Sequence, residues 1–249
     1  MSLDEYRASP AELARTQDLQ ALLPSQGRRA LDIGARDGHF SLLLAERFDS
    51  VVALDLTRPG FEHPRVETVQ GDVTRLQFAN DSFDTVLCAE VLEHIPPELL
   101  PQACAELQRV CRGHLVIGVP NQQDLRVGRS TCGQCGGINP PWGHVNRFDA
   151  AHLAARFPDC VVEATHTVGQ TRECTNALSA WLMDRAGNPY GTYIQQEPCV
   201  HCGGALGAAP ARSFAQKVAT KLAFWARWPS QRLAPTRGNW LHMRLRKRS

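Results

Sequence analysis

The chain of 249 residues carries a formal net charge of +2 and is 43% hydrophobic, so it can bury the core of one domain with elaborations. No apolar run reaches the ~20 residues that a membrane-spanning helix needs, so we expect no transmembrane segment. Met1 to Pro10 lack the apolar core of a signal peptide, and we therefore expect a cytoplasmic location.

The first half of the chain alternates between helical and extended patterns. Apolar spacing predicts a leading helix over Pro10–Leu23, and short apolar runs bounded by turn residues predict strands. In chain order, the predicted elements that follow are strand 30–33, helix 39–48, strands 51–54, 65–69 and 83–89, helix 101–111 and strand 114–119. Strands that alternate with helices favour an α/β fold with a doubly wound parallel sheet.

The second half is interrupted by two segments rich in Gly, Pro and Cys. The elements predicted there are helix 149–157 with Asp149 as its N-cap, strand 160–168, helix 173–183, an amphipathic helix over 213–228 and a final edge strand over 239–246. The predicted divisions are a core (1–121), a first insertion (122–148), a continuation of the core (149–187), a second insertion (188–210) and a basic helix with the edge strand (211–249).

Acidic residues stand at the ends of the first two predicted strands. Asp32 leads into a loop with Gly34 and Gly38, and Asp55 ends the next apolar run. In a parallel sheet these ends face the crevice where ligands bind. Carboxylates suit a ligand with hydroxyls and amines and suit a phosphate poorly. The glycine pattern of dinucleotide-binding enzymes and the Walker loop are both missing from the sequence.

The order of these motifs resembles that of the class I S-adenosylmethionine-dependent methyltransferases, in particular the ubiquinone/menaquinone-type branch. The resemblance covers roughly residues 19–121 and rests on Leu31-Asp32-Ile33-Gly34-Ala35-Arg36-Asp37-Gly38, Asp55, Gly71-Asp72-Val73, and Ser82-Phe83-Asp84-Thr85-Val86 leading into Glu90-Val91-Leu92-Glu93-His94-Ile95. It implies a Rossmann-like, seven-stranded methyltransferase sheet with S-adenosylmethionine as the cofactor.

The resemblance also implies roles for individual residues. Asp32 and the loop through Gly34 to Gly38 would approach the methionine part of the cofactor, and Asp55 would bind both ribose hydroxyls. Asp72 and the Val73 amide would contact the adenine, and the Ala89 carbonyl would lie near the methionine amine. Arg36 departs from the family, which often has glycine at this position, and a side chain there limits left-handed backbone conformations.

Two Cys-x-x-Cys-Gly-Gly segments predict a metal site. Cys132 and Cys135 form one pair, and Cys199 and Cys202 form the other. Two such turns can aim four thiolates at one tetrahedral zinc ion, and this closed shell would make the zinc structural. A redox pair or a buried thiol cluster remains an alternative.

Two histidines are candidate general bases if the methyl acceptor is a hydroxyl. His94 follows the fourth predicted strand, where Glu90 is a further candidate base, and His144 lies in the first insertion beside Trp142. Either histidine can instead have a structural role. Trp142 either lines the acceptor pocket or packs in the core.

The charge distribution leaves the choice of partner open. Residues 1–197 hold 17 Arg and Lys against 25 Asp and Glu, whereas 198–249 hold 10 Arg and Lys and no acidic residue. This asymmetry is typical either of an anionic partner, such as RNA or a membrane surface, or of a solvated basic segment. Methyl transfer to a small-molecule or carbohydrate acceptor, at oxygen, is the leading hypothesis. An RNA methyltransferase is less favoured because no RNA-recognition module is visible, and a non-catalytic zinc-stabilised partner protein is the third alternative.

Overall fold

The computed structural model describes residues 7–195 and 197–248. Most of the segment examined for a signal peptide, residues 1–6, lies outside this range, as do Gln196 and Ser249. The chain divides into two compact units. Unit 1 comprises Met1–Asn121, Phe148–Gly169 and Gly238–Ser249, and unit 2 comprises Gln122–Arg147 and Gln170–Arg237.

Unit 1 is built on a seven-stranded sheet. Its strands are β1 (Gly27–Ile33), β2 (Phe48–Asp55), β3 (Val66–Gln70), β4 (Phe83–Ala89), β5 (Cys111–Pro120), β8 (Cys160–Val168) and β9 (Trp240–Lys247). Their order across the sheet is β3-β2-β1-β4-β5-β9-β8. The first five are parallel, and β9 pairs antiparallel with both β5 and β8. The predicted doubly wound, seven-stranded sheet is confirmed, with β9 running opposite to its two neighbours.

The prediction that the final strand lies at the edge is wrong. β9 occupies an interior position, and β8 forms the edge. The alternating pattern of β9 suggested one solvated face, but its polar member His242 is completely buried and its Nδ1 lies 2.6 Å from Asp18 Oδ2. In β8, by contrast, Val161 and Val162 are exposed. A hydrogen-bonded buried histidine therefore lets a strand with a polar alternation lie inside the sheet.

Four helices of unit 1 lie within the described residues. They are α1 (Pro10–Leu22), α2 (His39–Ala45), α3 (Leu100–Val110) and α4 (Ala150–Ala154). The α1 helix begins where Ser9 Oγ accepts a hydrogen bond from the Glu12 amide, with Pro10 in the first turn. Asp149 caps α4 as predicted, because its side chain accepts from the His152 amide.

Two apolar clusters form the interior of unit 1. Leu31, Val86 and Ile117, from three neighbouring strands, pack in the larger cluster with Leu107 of α3. The smaller one includes Leu19 of α1 and Leu87 of β4. Side chains of one strand alternate between the two faces of a sheet, so the near-continuous apolar runs of β1, β4 and β5 supply both clusters.

Unit 2 contains a small sheet and two longer helices. The sheet is β6 (Ser130–Thr131) with β7 (Ile138–Asn139), and the helices are α5 (Ala177–Arg185) and α6 (Phe214–Leu233). The expected continuation of the core over 149–187 is divided, since residues from 170 onward belong to unit 2. The reason is that α5 packs on α6, where Ser179 Oγ donates to the Ala223 carbonyl at 2.8 Å. Among the described residues, we find no helix with the length and hydropathy needed to cross a membrane.

The chain leaves unit 1 twice, over 122–147 and 170–237, and each of these excursions begins and ends next to residues that are neighbours in unit 1. Asn121 and Phe148, which flank the first segment of unit 2, form a parallel bridge. Val168 and Trp240, which flank the second segment, are direct partners of the β8–β9 ladder.

Candidate active site and cysteine cluster

Acidic side chains end the adjacent strands β1 and β2 and follow β3. Asp55 closes β2, and its Oδ2 accepts a hydrogen bond of 2.8 Å from the Arg36 amide. Asp72 is exposed just after β3, where its Oδ1 accepts from the Thr74 amide and hydroxyl, both at 2.8 Å. The Gly71 amide donates to the Asp55 carbonyl at 2.9 Å, so the loops after β2 and β3 are hydrogen-bonded neighbours. Each carboxylate retains acceptor capacity beyond these local bonds.

Asp32 has a different environment from Asp55 and Asp72. It is 3% exposed and its Oδ2 accepts a hydrogen bond of 2.6 Å from Ser41 Oγ. Burial raises the pKa of Asp32 to about 7, against the opposing effect of the Ser41 hydrogen bond. This carboxyl therefore titrates near neutral pH.

The loop between β1 and α2 uses its glycines where the backbone is left-handed. Gly34 has φ of 75° and Gly38, at the start of α2, has φ of 85°. A Cβ at Gly34 would lie 2.4 Å from Val91 Cγ2, and one at Gly38 would lie 2.3 Å from the Phe61 ring. The packing of Val91 and Phe61 on the loop gives a second reason for glycine at these positions.

Arg36 adopts the left-handed conformation that its residue type disfavours. Its φ is 45°, and its amide donates to Asp55. The departure from the family pattern thus leaves the loop able to reach the strand-end carboxylate, at a conformational cost of about 1–2 kcal/mol.

A group of ionisable side chains lies just beyond β4. Ala89 ends the strand, and the next residue, Glu90, has φ of 57° and donates its amide to the Gly118 carbonyl at 2.9 Å. Burial raises the pKa of Glu90 to about 7, while Arg15 of α1 opposes the shift. Burial, followed by the charge of Glu90, raises the pKa of Glu93 well above its usual range. No sequence pattern indicated that α1 would place an arginine beside these acids.

The two candidate bases lie in different units. His94 belongs to unit 1, is partly buried, and donates its amide to the Val91 carbonyl at 3.0 Å. His144 belongs to unit 2 and is buried, with its Nδ1 at 2.6 Å from Gln123 Oε1. That contact fixes the orientation of the His144 ring.

Unit 2 also contains a cleft of about 520 Å³. Trp142, which is 47% exposed, lies in its lining rather than in the core. Other lining residues that define its chemistry are Arg126, Arg129, Tyr190, Phe224 and Arg227. The size is that of a small-molecule site.

The four predicted cysteine ligands come together. Their sulfur atoms all lie within 4.8 Å of one another. Cys132 Sγ lies 3.8 Å from Cys202 Sγ, and Cys135 Sγ lies 3.7 Å from Cys199 Sγ. Four thiolates at about 2.3 Å from one tetrahedral zinc ion are separated from each other by about 3.8 Å. The cluster has the dimensions of a four-cysteine zinc site.

The two cysteine turns have the same backbone structure. In the first turn, the Gly136 amide donates to the Cys132 carbonyl at 2.9 Å, and in the second the Gly203 amide donates to the Cys199 carbonyl at 2.8 Å. Gly136 and Gly203 both have φ of 72°. The glycine that follows each pair is therefore required by a left-handed turn.

Two polar residues that the sequence pattern did not single out support the cluster. Buried Asn139 contacts both turns, since its Nδ2 donates to the Gly137 carbonyl at 3.1 Å and its Oδ1 accepts from the Val200 amide at 2.8 Å. Tyr193 packs with Cys132 and Cys199, and its hydroxyl accepts from the Thr131 amide at 2.9 Å. His201, which lies between Cys199 and Cys202 in the chain, places its Nε2 at 2.9 Å from the Ile138 carbonyl.

Local hydrogen bonds tune the thiols of the cluster. The amides of Cys135 and Gln134 lower the pKa of Cys132. At Cys202 the Gly204 amide also favours the thiolate, but proton sharing with neighbouring thiols outweighs it and raises the pKa to about 12. Such a division is expected when several thiols share protons at one site.

The residues of the strand-end site lie in a segment that is similar to known proteins. Residues 31–117 match the family model described as methyltransferase domain. The ubiquinone biosynthesis O-methyltransferase of Paracidovorax citrulli is 32% identical over 101 residues, which cover 36% of this chain and 42% of that relative. Residues 31–117 are therefore similar to a methyltransferase domain. The family resemblance inferred from the motifs agrees with this match, while the chain spans less than half of that relative's length.

Solved structures share the fold of the methyltransferase domain over most of the chain. An S-adenosylmethionine-dependent methyltransferase from Mesorhizobium loti has a TM-score of 0.53 at 15% identity, covering 94% of this chain and 98% of that one. The 1,6-didemethyltoxoflavin-N1-methyltransferase of Burkholderia thailandensis, solved with S-adenosylhomocysteine, has a TM-score of 0.53 at 15% identity, covering 99% and 82%. At these identities the likeness concerns the fold.

Proposed function

We propose that this protein transfers a methyl group from S-adenosylmethionine to a small-molecule or carbohydrate acceptor, at oxygen, and that it carries a structural zinc ion. The observation that carries the proposal is the row of carboxylates at the ends of β1 and β2 and just after β3, within a methyltransferase domain. The relatives named as O-methyltransferases of ubiquinone biosynthesis support an oxygen acceptor.

The chemistry of this site fits the cofactor. S-Adenosylmethionine offers hydrogen-bond donors at its ribose hydroxyls, adenine amine and methionine ammonium, and this site offers acceptors. Asp55 would hold the ribose, Asp72 and the Val73 amide the adenine, and Ala89 with Asp32 and the Gly34–Gly38 loop the methionine part. The Arg36 amide takes one lone pair of Asp55 Oδ2 and fixes the rotamer of Asp55, which leaves acceptor sites on the carboxylate for both ribose hydroxyls.

The bound cofactor supplies a sulfonium that activates the methyl group. The chain's own contribution is to orient the acceptor and exclude water. For a hydroxyl acceptor, His94 or His144 would take the proton from the oxygen that is methylated. The Gln123 contact holds the His144 ring in one orientation, which favours such a role.

The cofactor site is tested by titration calorimetry with S-adenosylmethionine. We expect Asp55→Ala to weaken binding by about 10- to 100-fold, because hydrogen bonds to a charged group are worth about 1.5–3 kcal/mol. Asp49→Ala is the matched control, since Asp49 is an exposed carboxylate at the opposite end of the same strand. Unchanged affinity in Asp55→Ala would contradict the proposed pocket.

The zinc proposal rests on the sulfur geometry and is tested by metal analysis of the purified protein. We expect about one zinc ion per chain, because four thiolates complete a tetrahedral shell. The Cys199→Ser/Cys202→Ser double variant is expected to lose it. Cys174→Ser is the control, because Cys174 lies in unit 2 outside the cluster and its thiol donates to the Ser230 carbonyl. Full zinc content in the double variant would refute the joined site.

A further inference from the structure

The α6 helix exposes an apolar face to solvent. Phe214 is 83% exposed, Leu222 52%, Trp225 81% and Trp228 62%. Val218 and Leu233 are also exposed. A helical repeat of 3.6 residues places these side chains along one side of the 20-residue helix. We call them, together with the exposed cations Lys217, Lys221 and Arg232, the α6 face.

The opposite side of α6 packs on α5. Its buried residues are Thr220 and Ala223. Ser179 Oγ of α5 donates to the Ala223 carbonyl, and Asn176 Nδ2 donates to the Ala226 carbonyl at 2.6 Å. The helix therefore packs on α5 through small residues, and the large apolar side chains of the α6 face lie outside this contact.

The cations of the α6 face indicate the chemical class of the partner that binds there. Lys217 and Lys221 are exposed among the apolar side chains, and Arg232 lies over the Trp228 ring at 5.2 Å from its centroid. Residues 198–249 contain no acidic residue, so nothing on this segment neutralises them. A face on which tryptophans and aliphatic residues are interspersed with Lys and Arg matches an anionic lipid surface, where apolar side chains enter the acyl boundary and the long cationic side chains reach the headgroups.

We infer that the α6 face binds the surface of a membrane that contains anionic phospholipids. Two alternatives fit less well. A second copy of the chain would bring two sets of cations together, and an RNA would leave Val218, Leu222 and Leu233 without a role. This inference does not rest on the proposed methyl transfer.

The test is sedimentation of the full chain with vesicles. We expect binding to phosphatidylcholine vesicles that contain phosphatidylglycerol and little binding to phosphatidylcholine alone. Trp225→Ser/Trp228→Ser should weaken binding roughly tenfold or more, because interfacial binding scales with buried apolar area. Trp181→Ser, which alters an exposed tryptophan on α5, should bind as the parent does.

A second variant examines the charge. Lys217→Gln/Lys221→Gln should weaken binding by about fivefold per lysine at low salt, and the loss should shrink as salt rises.

Failure of the unmodified chain to bind either vesicle overturns the inference. A dimer in light scattering that Trp225→Ser/Trp228→Ser converts to a monomer, without vesicle binding, assigns the face to self-association instead. Binding of polyuridylate in place of vesicles assigns it to RNA. Calorimetry with S-adenosylmethionine tests the proposed methyl transfer separately, because none of the vesicle, light-scattering or polyuridylate measurements depends on cofactor binding.

Discussion

The two units are stabilised internally by different kinds of interaction. In unit 1, fully buried side chains such as Phe83, Leu87 and Ile117 fill both faces of a seven-stranded sheet. In unit 2, the buried cluster around the cysteines contains Cys132, Tyr193, Cys199 and Leu206. Apolar burial of the first kind scales with area and needs no ligand, whereas a four-cysteine cluster that holds the proposed zinc ion would gain its full stability only with the metal bound. With the proposed zinc ion, one chain would combine a self-sufficient domain with a metal-dependent one.

Removal of the proposed metal ion should have the largest effect and tests this difference between the units most directly. A high-affinity chelator should expose unit 2 while unit 1 keeps its structure, because structural zinc contributes about 10–16 kcal/mol in small zinc domains. Hydrogen exchange is the measurement: amides of β6, β7 and the two cysteine turns should lose protection, and those of β1 and β4 should keep it. Equal loss of protection in both units would show that their stabilities are not separate.

Truncating a core side chain of unit 1 should destabilise unit 1 rather than unit 2. Leu87→Ala removes a fully buried side chain of β4 and should destabilise unit 1 by about 2–5 kcal/mol in urea unfolding, with zinc content unchanged. Leu56→Ala is the control, since Leu56 is 69% exposed just after β2 and its truncation should cost less than about 0.5 kcal/mol. A Leu87→Ala protein as stable as the Leu56→Ala protein would argue against the packing described for the sheet.

The raised pKa of Asp32 predicts a pH dependence of the stability of unit 1 that can be measured separately. Its folded pKa of about 7 lies above the ordinary value of 3.8, so the fold favours the protonated carboxyl. That contribution is fully present below pH 3.8 and is lost as the pH rises through about 7. Asp32→Asn should therefore gain stability relative to the parent as the pH rises from 4 to 8, by less than about 4 kcal/mol.

The measurement for Asp32 is the difference between the two unfolding free energies at each pH. Using the difference removes the parallel contribution of Glu90, whose pKa is also raised to about 7 by burial. A difference that stays constant across this range would contradict the raised pKa of Asp32.

The smallest expected effect concerns the strained loop. Arg36→Gly relieves a left-handed backbone but adds freedom to the unfolded chain, so the net change in stability should stay within about 1 kcal/mol. Cofactor affinity should not change, because Asp55 is held by the backbone amide of this residue. Arg36→Ala retains the strain and serves as the comparison, and a large loss of affinity in Arg36→Gly would assign the side chain a direct role.

The sequence predicts most of unit 1 because its elements are specified locally. The bounds of β4 and β8 agree with their apolar runs, and Asp149 and the cysteine turns follow from side-chain and glycine chemistry at fixed spacing. Each of these features depends on residues close together in the chain.

What the sequence does not predict depends on distant partners. The interior position of β9 requires the pairing of His242 with Asp18, more than two hundred residues away. The joint support of the cysteine turns by Asn139, and the place of α5 in unit 2, likewise follow from contacts that no local pattern contains. In the strand-end site, the family motifs locate the carboxylates but not Phe61, whose ring packs on Gly38 from a separate loop.

The points at which the chain leaves the sheet have a consequence for its modularity. Asn121 meets Phe148, and Val168 meets Trp240, so each excursion begins and ends at residues that already touch. A short turn could replace the second excursion without moving a strand, because Val168 and Trp240 are antiparallel partners. Asn121 and Phe148 are parallel partners and need a longer connection, so the second segment of unit 2 is the more readily exchanged module. The β8–β9 ladder is therefore equivalent to a β-hairpin whose connecting turn is replaced by residues 170–237, which form most of unit 2.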